Sequence, residues 1–124
     1  MSTILIVEDN EKNMKLARDV LRSKGYATLE AVTGEEGVRL VTEKKPDLVL
    51  MDIQLPGING IEALRRVRAD PACERIPIVA FTASVMSADR SQISAAGFDG
   101  FIGKPINLKE FLETVKRVLE TGRA

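Results

Sequence analysis

The chain has 124 residues, the size of one domain, and its 44% of apolar residues suffices for a single buried core. Eighteen basic and eighteen acidic side chains cancel to a formal charge of zero, which removes the basic excess that non-specific binding to nucleic acid or an acidic membrane requires. The absence of histidine excludes a Ser-His-Asp or Cys-His centre, a His-ligated zinc site and a phosphohistidine carrier, while the lone Cys73 excludes an intrachain disulfide and fits a reducing compartment, the cytoplasm.

The first element is the apolar run Ile4-Leu5-Ile6-Val7. It follows Met1-Ser2-Thr3 with no basic region, which is not the pattern of a signal peptide. The run is short and rich in β-branched residues, so it reads as a strand buried on both faces. Met14, Ala17, Val20 and Leu21 then share one helix face, closed by Gly25. Residues 26–32 alternate, with Thr28 and Glu30 polar, and suit an edge strand. Thr33 with Glu36 is a capping-box signature for a helix carrying Val38 and Val41. Leu48-Val49-Leu50-Met51 is a second fully buried strand. Ile61, Leu64 and Val67 mark a helix that ends before Asp70-Pro71.

Ile78-Val79-Ala80-Phe81 is the third buried strand. Residues 86–96 follow as a helix stopped by Gly97; Ile93 is its only branched apolar residue, so it is expected to be the least firmly held. Residues 98–102 suit the other sheet edge. The last helix carries the clearest stripe, Leu108, Phe111, Leu112, Val115, Val118 and Leu119, with Asn107 as N-cap and Glu110 three residues on. Strand and helix thus alternate five times. The expected fold is a doubly wound α/β sandwich, (βα)5, over residues 1–120, with 121–124 as a short tail. No apolar run approaches the ~20 residues of a membrane span, so no membrane insertion is expected.

In a parallel α/β sheet all strands end at one edge, and sites form in the loops there. Glu8 and Asp9 follow the first strand, Asp52 the second buried one, Thr82 the third, and Lys104 with Pro105 the last. Taken singly, Asp9 or Thr82 would serve as helix caps, Lys104 as a solvated charge, and Cys73 as an ordinary loop residue. Together, three crowded carboxylates repel one another and call for a cation or for protons. Few hard oxygen ligands with room for water and phosphate suit Mg2+. A carboxylate can attack phosphorus to give an acyl phosphate, a reaction that needs mainly alignment and charge neutralisation. Asp9 and Asp52 would hold the metal with Glu8 in its inner or outer shell, Lys104 would balance the phosphoryl charge, and Thr82 would bond a phosphoryl oxygen. Asp52 is the acceptor in this division, because it sits between the acidic pair and Lys104.

The stretches 4–10 (ILIVEDN), 50–60 (LMDIQLPGING), 79–83 (VAFTA) and 103–105 (GKP) resemble the response-regulator receiver family of two-component signalling, over essentially the whole chain. The resemblance implies a five-stranded parallel sheet in order 2-1-3-4-5. It implies phosphorylation of Asp52 by a histidine kinase or histidine phosphotransfer protein. It implies Mg2+ held by Glu8, Asp9, Asp52 and the backbone carbonyl of Gln54, phosphate sensing by Thr82 and Lys104, a switch aromatic at Phe101 with Thr82 as its companion, and a cis peptide before Pro105. Residues 7–14 and 51–56 most resemble the stand-alone DivK-type group, regulators of bacterial cell cycle and polarity that bind histidine kinases. With no helix-turn-helix or basic arm in sight, the expected output is contact with another protein through the fourth helix, fifth strand and fifth helix, and no contact with nucleic acid.

Such a domain is not an enzyme in the ordinary sense, although it takes part in its own phosphorylation and dephosphorylation. Competing readings are a phosphate sink or relay intermediate without output, and a phosphohydrolase with an aspartyl nucleophile. The second expects an acid two residues past the nucleophile, where Gln54 stands. A flavodoxin-like cofactor binder is disfavoured by the acidic pair after the first strand, which repels phosphate unless metal intervenes.

Overall fold

A computed structural model describes residues 2–83 and 87–122. The elements run β1 (Thr3–Val7), α1 (Glu11–Ser23), β2 (Ala27–Ala31), α2 (Gly34–Lys44), β3 (Leu48–Met51), α3 (Gly60–Arg68), a 3-10 turn (Pro71–Cys73), β4 (Ile78–Thr82), α4 (Ser87–Ala96), β5 (Gly100–Gly103) and α5 (Leu108–Thr121). The strands form one parallel sheet in the order β2-β1-β3-β4-β5. Fold class and strand order are those expected from the sequence. The expected helix start at Met86 and the tail positions 123 and 124 lie outside the described residues.

The buried strands are apolar throughout because each face of the sheet meets a different helix layer. Leu5, Val7, Val49, Met51, Ile78 and Ala80 point to one side and pack with Val41 of α2 and Ala63, Leu64 and Val67 of α3. Ile4, Ile6, Leu48, Leu50, Val79 and Phe81 point to the other and pack with α1 and α5 through Met14, Leu21, Phe111 and Val115. The period-2 alternation of a strand thus feeds two cores at once.

The helices begin where short polar side chains can cap them. Asn10, Thr33, Asn59 and Asn107 each accept the amide N–H three residues on, at 3.1, 3.1, 2.9 and 3.1 Å. Several expectations shift by a residue or two. The second strand loses Tyr26 to the turn that ends α1, where its N–H bonds Leu21 O, and loses Val32 to the α2 cap, where its N–H bonds Glu36 Oε1. The last strand starts at Gly100 rather than at residue 98. Phe98 is buried in the α2/α3 core instead, and the Asp99 carboxylate takes the Ile78 N–H at 2.8 Å.

On α3, Ile61 is exposed and Ala63 faces the core together with Leu64 and Val67; on α5, Leu108 is exposed. Cys73 is not in an open loop. It is fully buried at the end of the 3-10 turn, where burial pushes its thiol pKa up.

The topology also decides where chemistry can happen. β1 pairs on one side with β2 and on the other with β3. The connection after β1 passes through α1 on one face of the sheet, and the connection after β3 passes through α3 on the opposite face. The two loops part at this switch in strand order and leave a crevice at the carboxyl ends of β1 and β3.

Candidate functional site

Val7 is paired in register with Met51, so the residues that follow, Glu8 and Asp52, leave the sheet side by side. The ladder continues one step beyond the strands, with Asp52 N–H donating to Val7 O at 3.0 Å and Glu8 N–H to Ala31 O at 3.0 Å. Both side chains are buried, Glu8 at 1% exposure and Asp52 at 4%, while Asp9 is exposed. One carboxylate oxygen from each of Glu8, Asp9 and Asp52 lies within 4.8 Å of the other two, the single such acidic group among the described residues.

Lys104 enters from the other side of β3, by way of β4 and β5. Thr82 is in register with Gly103, and Lys104 N–H donates to Thr82 O at 2.9 Å. The Lys104–Pro105 peptide is cis. The ammonium ion-pairs with Glu8 Oε1 and lies 3.2 Å from Asp52 Oδ2, and it stands 4.6 Å above the Phe81 ring, within range of a cation–π contact.

One ammonium faces three carboxylates, so negative charge is left over. Burial is the largest influence on Glu8, whose pKa is pushed up to about 7; the neighbouring Asp52 carboxyl raises it further, and Lys104 opposes both. A proton on Glu8 is one way to relieve the crowding. A hard divalent cation is the other, and three carboxylate donors, one of them open to water, fit such an ion.

The remaining expected residues fall around this centre. Thr82 ends β4 and is buried. Phe101 lies on β5, half-buried against the α2/α3 core, between two cavities. One, of about 550 Å³, is bordered by Lys104, Phe111, Thr114 and Arg117. The other, of about 220 Å³, is bordered by Ile93, Phe98 and Asp99. Gln54 contributes an interaction the sequence reading did not name: its backbone N–H donates to Asp52 Oδ1 at 2.9 Å. An Asp that bonds the backbone two residues on is a common turn signal, and Asp52 before Gln54 carries it. Asn59-Gly60 reads in the sequence as a helix start rather than a binding feature, and the pair does open α3, with Asn59 as its N-cap. The start of α3 lies so close to Asp52 that a Cβ at position 60 would collide with the Asp52 carbonyl oxygen.

A family model described as the response regulator receiver domain matches residues 4–116. The chain belongs to the response-regulator receiver family. A polar-differentiation response regulator, DivK, of Brucella anthropi is 43% identical over 117 residues, covering 94% of this chain and 95% of that protein. Among solved structures, the receiver domain of a Pseudomonas aeruginosa sensor histidine kinase, with a magnesium ion coordinated in its active-site cleft, superposes with a TM-score of 0.89 at 34% identity, over 96% of this chain and 98% of that one. A LuxR-family two-component response regulator from Aurantimonas has a TM-score of 0.89 at 32% identity, over 100% of this chain and 89% of the other. This receiver is therefore a two-component signalling domain, and its acidic crevice lies at the switch in strand order. No helix among its described residues is long and apolar enough to cross a membrane.

Proposed function

We propose that this receiver accepts a phosphoryl group on Asp52 from a histidine kinase or histidine phosphotransfer protein and signals by phosphorylation-dependent contact with another protein. The observation that carries this reading is the placement of Asp52. Its carboxylate is buried, held by Gln54 N–H on one oxygen and Lys104 on the other, beside Glu8 and Asp9. Glu8, Asp9, Asp52 and the carbonyl of Gln54 would hold Mg2+. When bound, the ion supplies positive charge against the phosphoryl oxygens and offsets the repulsion among the carboxylates.

In the transfer, an Asp52 carboxylate oxygen attacks phosphorus on the donor phosphohistidine. A P–O bond forms, the P–N bond breaks, and its electron pair leaves on the imidazole ring. Lys104 moves little to pair with the added charge, because its ammonium already touches Asp52 and Glu8. Thr82 then bonds a phosphoryl oxygen and draws the end of β4 with it. Phe101 repacks between the cavities that flank it, and the surface of α4, β5 and α5 changes. The phosphoryl group needs only to favour one packing over the other by a few kcal/mol. By similarity to the Brucella protein, the pathway is polar differentiation; cell-cycle control and a cytoplasmic setting complete this reading on the strength of the family resemblance.

The test is phosphorylation by a small phosphodonor such as acetyl phosphate with Mg2+, read by intact mass. Wild type gains one phosphoryl group; Asp52→Asn gains none, and chelation of the metal stops labelling of wild type. Equal labelling of the two proteins would remove Asp52 as the acceptor.

A further inference from the structure

The loop between β3 and α3 is clamped at points that share a cause: glycine stands where a side chain would collide. At the start of α2, a Cβ on Gly34 would stand 2.7 Å from Ile58 Cγ1 and 2.8 Å from the Ile58 carbonyl oxygen. Gly57, at φ +73°, lies against the Glu35 carboxylate, 2.9 Å from where its Cβ would be. On the far side of the loop, Gly60 rests on the Asp52 carbonyl and donates its N–H to Ile53 O at 3.0 Å. Between these contacts lies Gln54, whose N–H orients the Asp52 carboxylate. Leu55 anchors the same loop in the core.

We propose that the first turn of α2, through Gly34, is a positioning element for Asp52: it presses the 53–59 loop into the shape that aims the carboxylate. Gly34 touches neither phosphate nor metal and acts through Ile58 and the Gln54 amide. α2 has little freedom to yield. A turn further on, Gly37 lies against Val7, with 2.9 Å from its would-be Cβ to Val7 Cγ2, and Val41 is fully buried. The half-buried Ile58 and its loop are the softer side. A methyl group at position 34 therefore displaces the loop, and the displacement reaches Gln54. A carboxylate that has lost its aligning donor reacts less often from a productive geometry. This inference deepens the phosphoacceptor reading of Asp52 and rests on it for its functional consequence.

The experiment compares wild type, Gly34→Ala, Gly37→Ala and Ile58→Ala. The first readout is hydrogen-exchange protection of the Gln54 amide by NMR, relative to the amides of β1 and β3. The second is the acetyl phosphate labelling rate at saturating Mg2+. Gly37→Ala is the control for a glycine-to-alanine collision in α2 that meets a strand side chain rather than the loop. Gly34→Ala is expected to lose Gln54 protection at least tenfold and to label at least fivefold more slowly. Gly37→Ala should stay within twofold on both, whatever its melting temperature. Ile58→Ala, which loosens the clamp without a collision, should lose Gln54 protection as well, and serves if Gly34→Ala does not fold. Unchanged Gln54 protection in Gly34→Ala, or equal slowing in Gly37→Ala, overturns the proposal. Failure of wild type to label would overturn the phosphoacceptor reading instead, and the Gln54 amide would still decide the clamp.

Discussion

Glu8 shows how one buried carboxyl is held between two partners of opposite sign. Its pKa of about 7 in the folded protein lies above the ordinary value of 4.5. The folded state therefore binds the proton more tightly than the unfolded chain. The corresponding stability is fully present below pH 4.5 and is lost as pH rises through about 7. In chelator, wild type should lose stability relative to Glu8→Gln across that window, with a slope of at most about 1.4 kcal/mol per pH unit. Urea unfolding of both proteins at pH 5, 6 and 7.5 measures it, and parallel pH curves would contradict it. The identity of the acidic residues was legible because Glu8-Asp9 and Asp52 stand at the ends of apolar runs. What could not be read was that Glu8 and Asp52 are sealed from solvent while Asp9 is open. Exposure depends on what covers a residue, and the cover comes from distant segments such as Lys104.

Among the elements, the end of α3 is tied down more firmly than its periodicity suggests. Arg68 donates to the carbonyls of Ile76 at 2.8 Å and Cys73 at 3.3 Å and pairs with Asp99 at 2.9 Å. Asp99 in turn holds the Ile78 N–H. One side chain thus joins α3, the turn that follows it, the start of β4 and the approach to β5. Arg68→Met should cost about 2–3 kcal/mol, since hydrogen bonds made by a charged group are lost where little water can replace them. Denaturant titration checks this, and a loss under 0.5 kcal/mol would show that the tie is dispensable. A cap is a smaller device: Asn107→Ala should cost about 1 kcal/mol by leaving the Glu110 N–H without its acceptor. The caps were legible in part, at Thr33 and Asn107, because short polar residues before an apolar stripe have a local function. The Arg68 tie spans 31 residues to Asp99, and nothing in the neighbourhood of either residue announces the other.

At the scale of the molecule, the sheet has two cores and one edge that carries the acidic crevice. Phe111 of α5 is fully buried, its ring centroid 6.2 Å from that of Phe81, whose ring lies under Lys104. Phe111→Ala should cost about 3–5 kcal/mol through lost burial and the cavity left behind, measured by thermal or urea unfolding. The proposed switch runs along the same edge, from Thr82 to Phe101 one strand away. In Thr82→Ala, phosphorylation should still label Asp52 but should leave the NMR signals of Phe101 and the β5–α5 groove near their unphosphorylated positions. Full movement of Phe101 in that variant would break the link between the two residues. The order 2-1-3-4-5 was expected from the family resemblance, and it agrees with the polar content of the two outer strands. The end of β2 at Ala31 and the start of β5 at Gly100 depended on competitors for the ladder, the Glu36 and Asp99 carboxylates.

Local pattern in this chain is enough to specify five strands and five helices, the two buried cores and the residues that emerge at the acidic edge of the sheet. Those features follow from side-chain periodicity and from chemistry confined to a few consecutive residues. Folding alone decided which carboxylates are shielded, which glycines must stay bare at positions 34 and 60, and how Arg68 fastens the far end of the sheet. These are contacts between different elements of the fold, and their energy exists only once the backbone has brought those elements within a few ångströms.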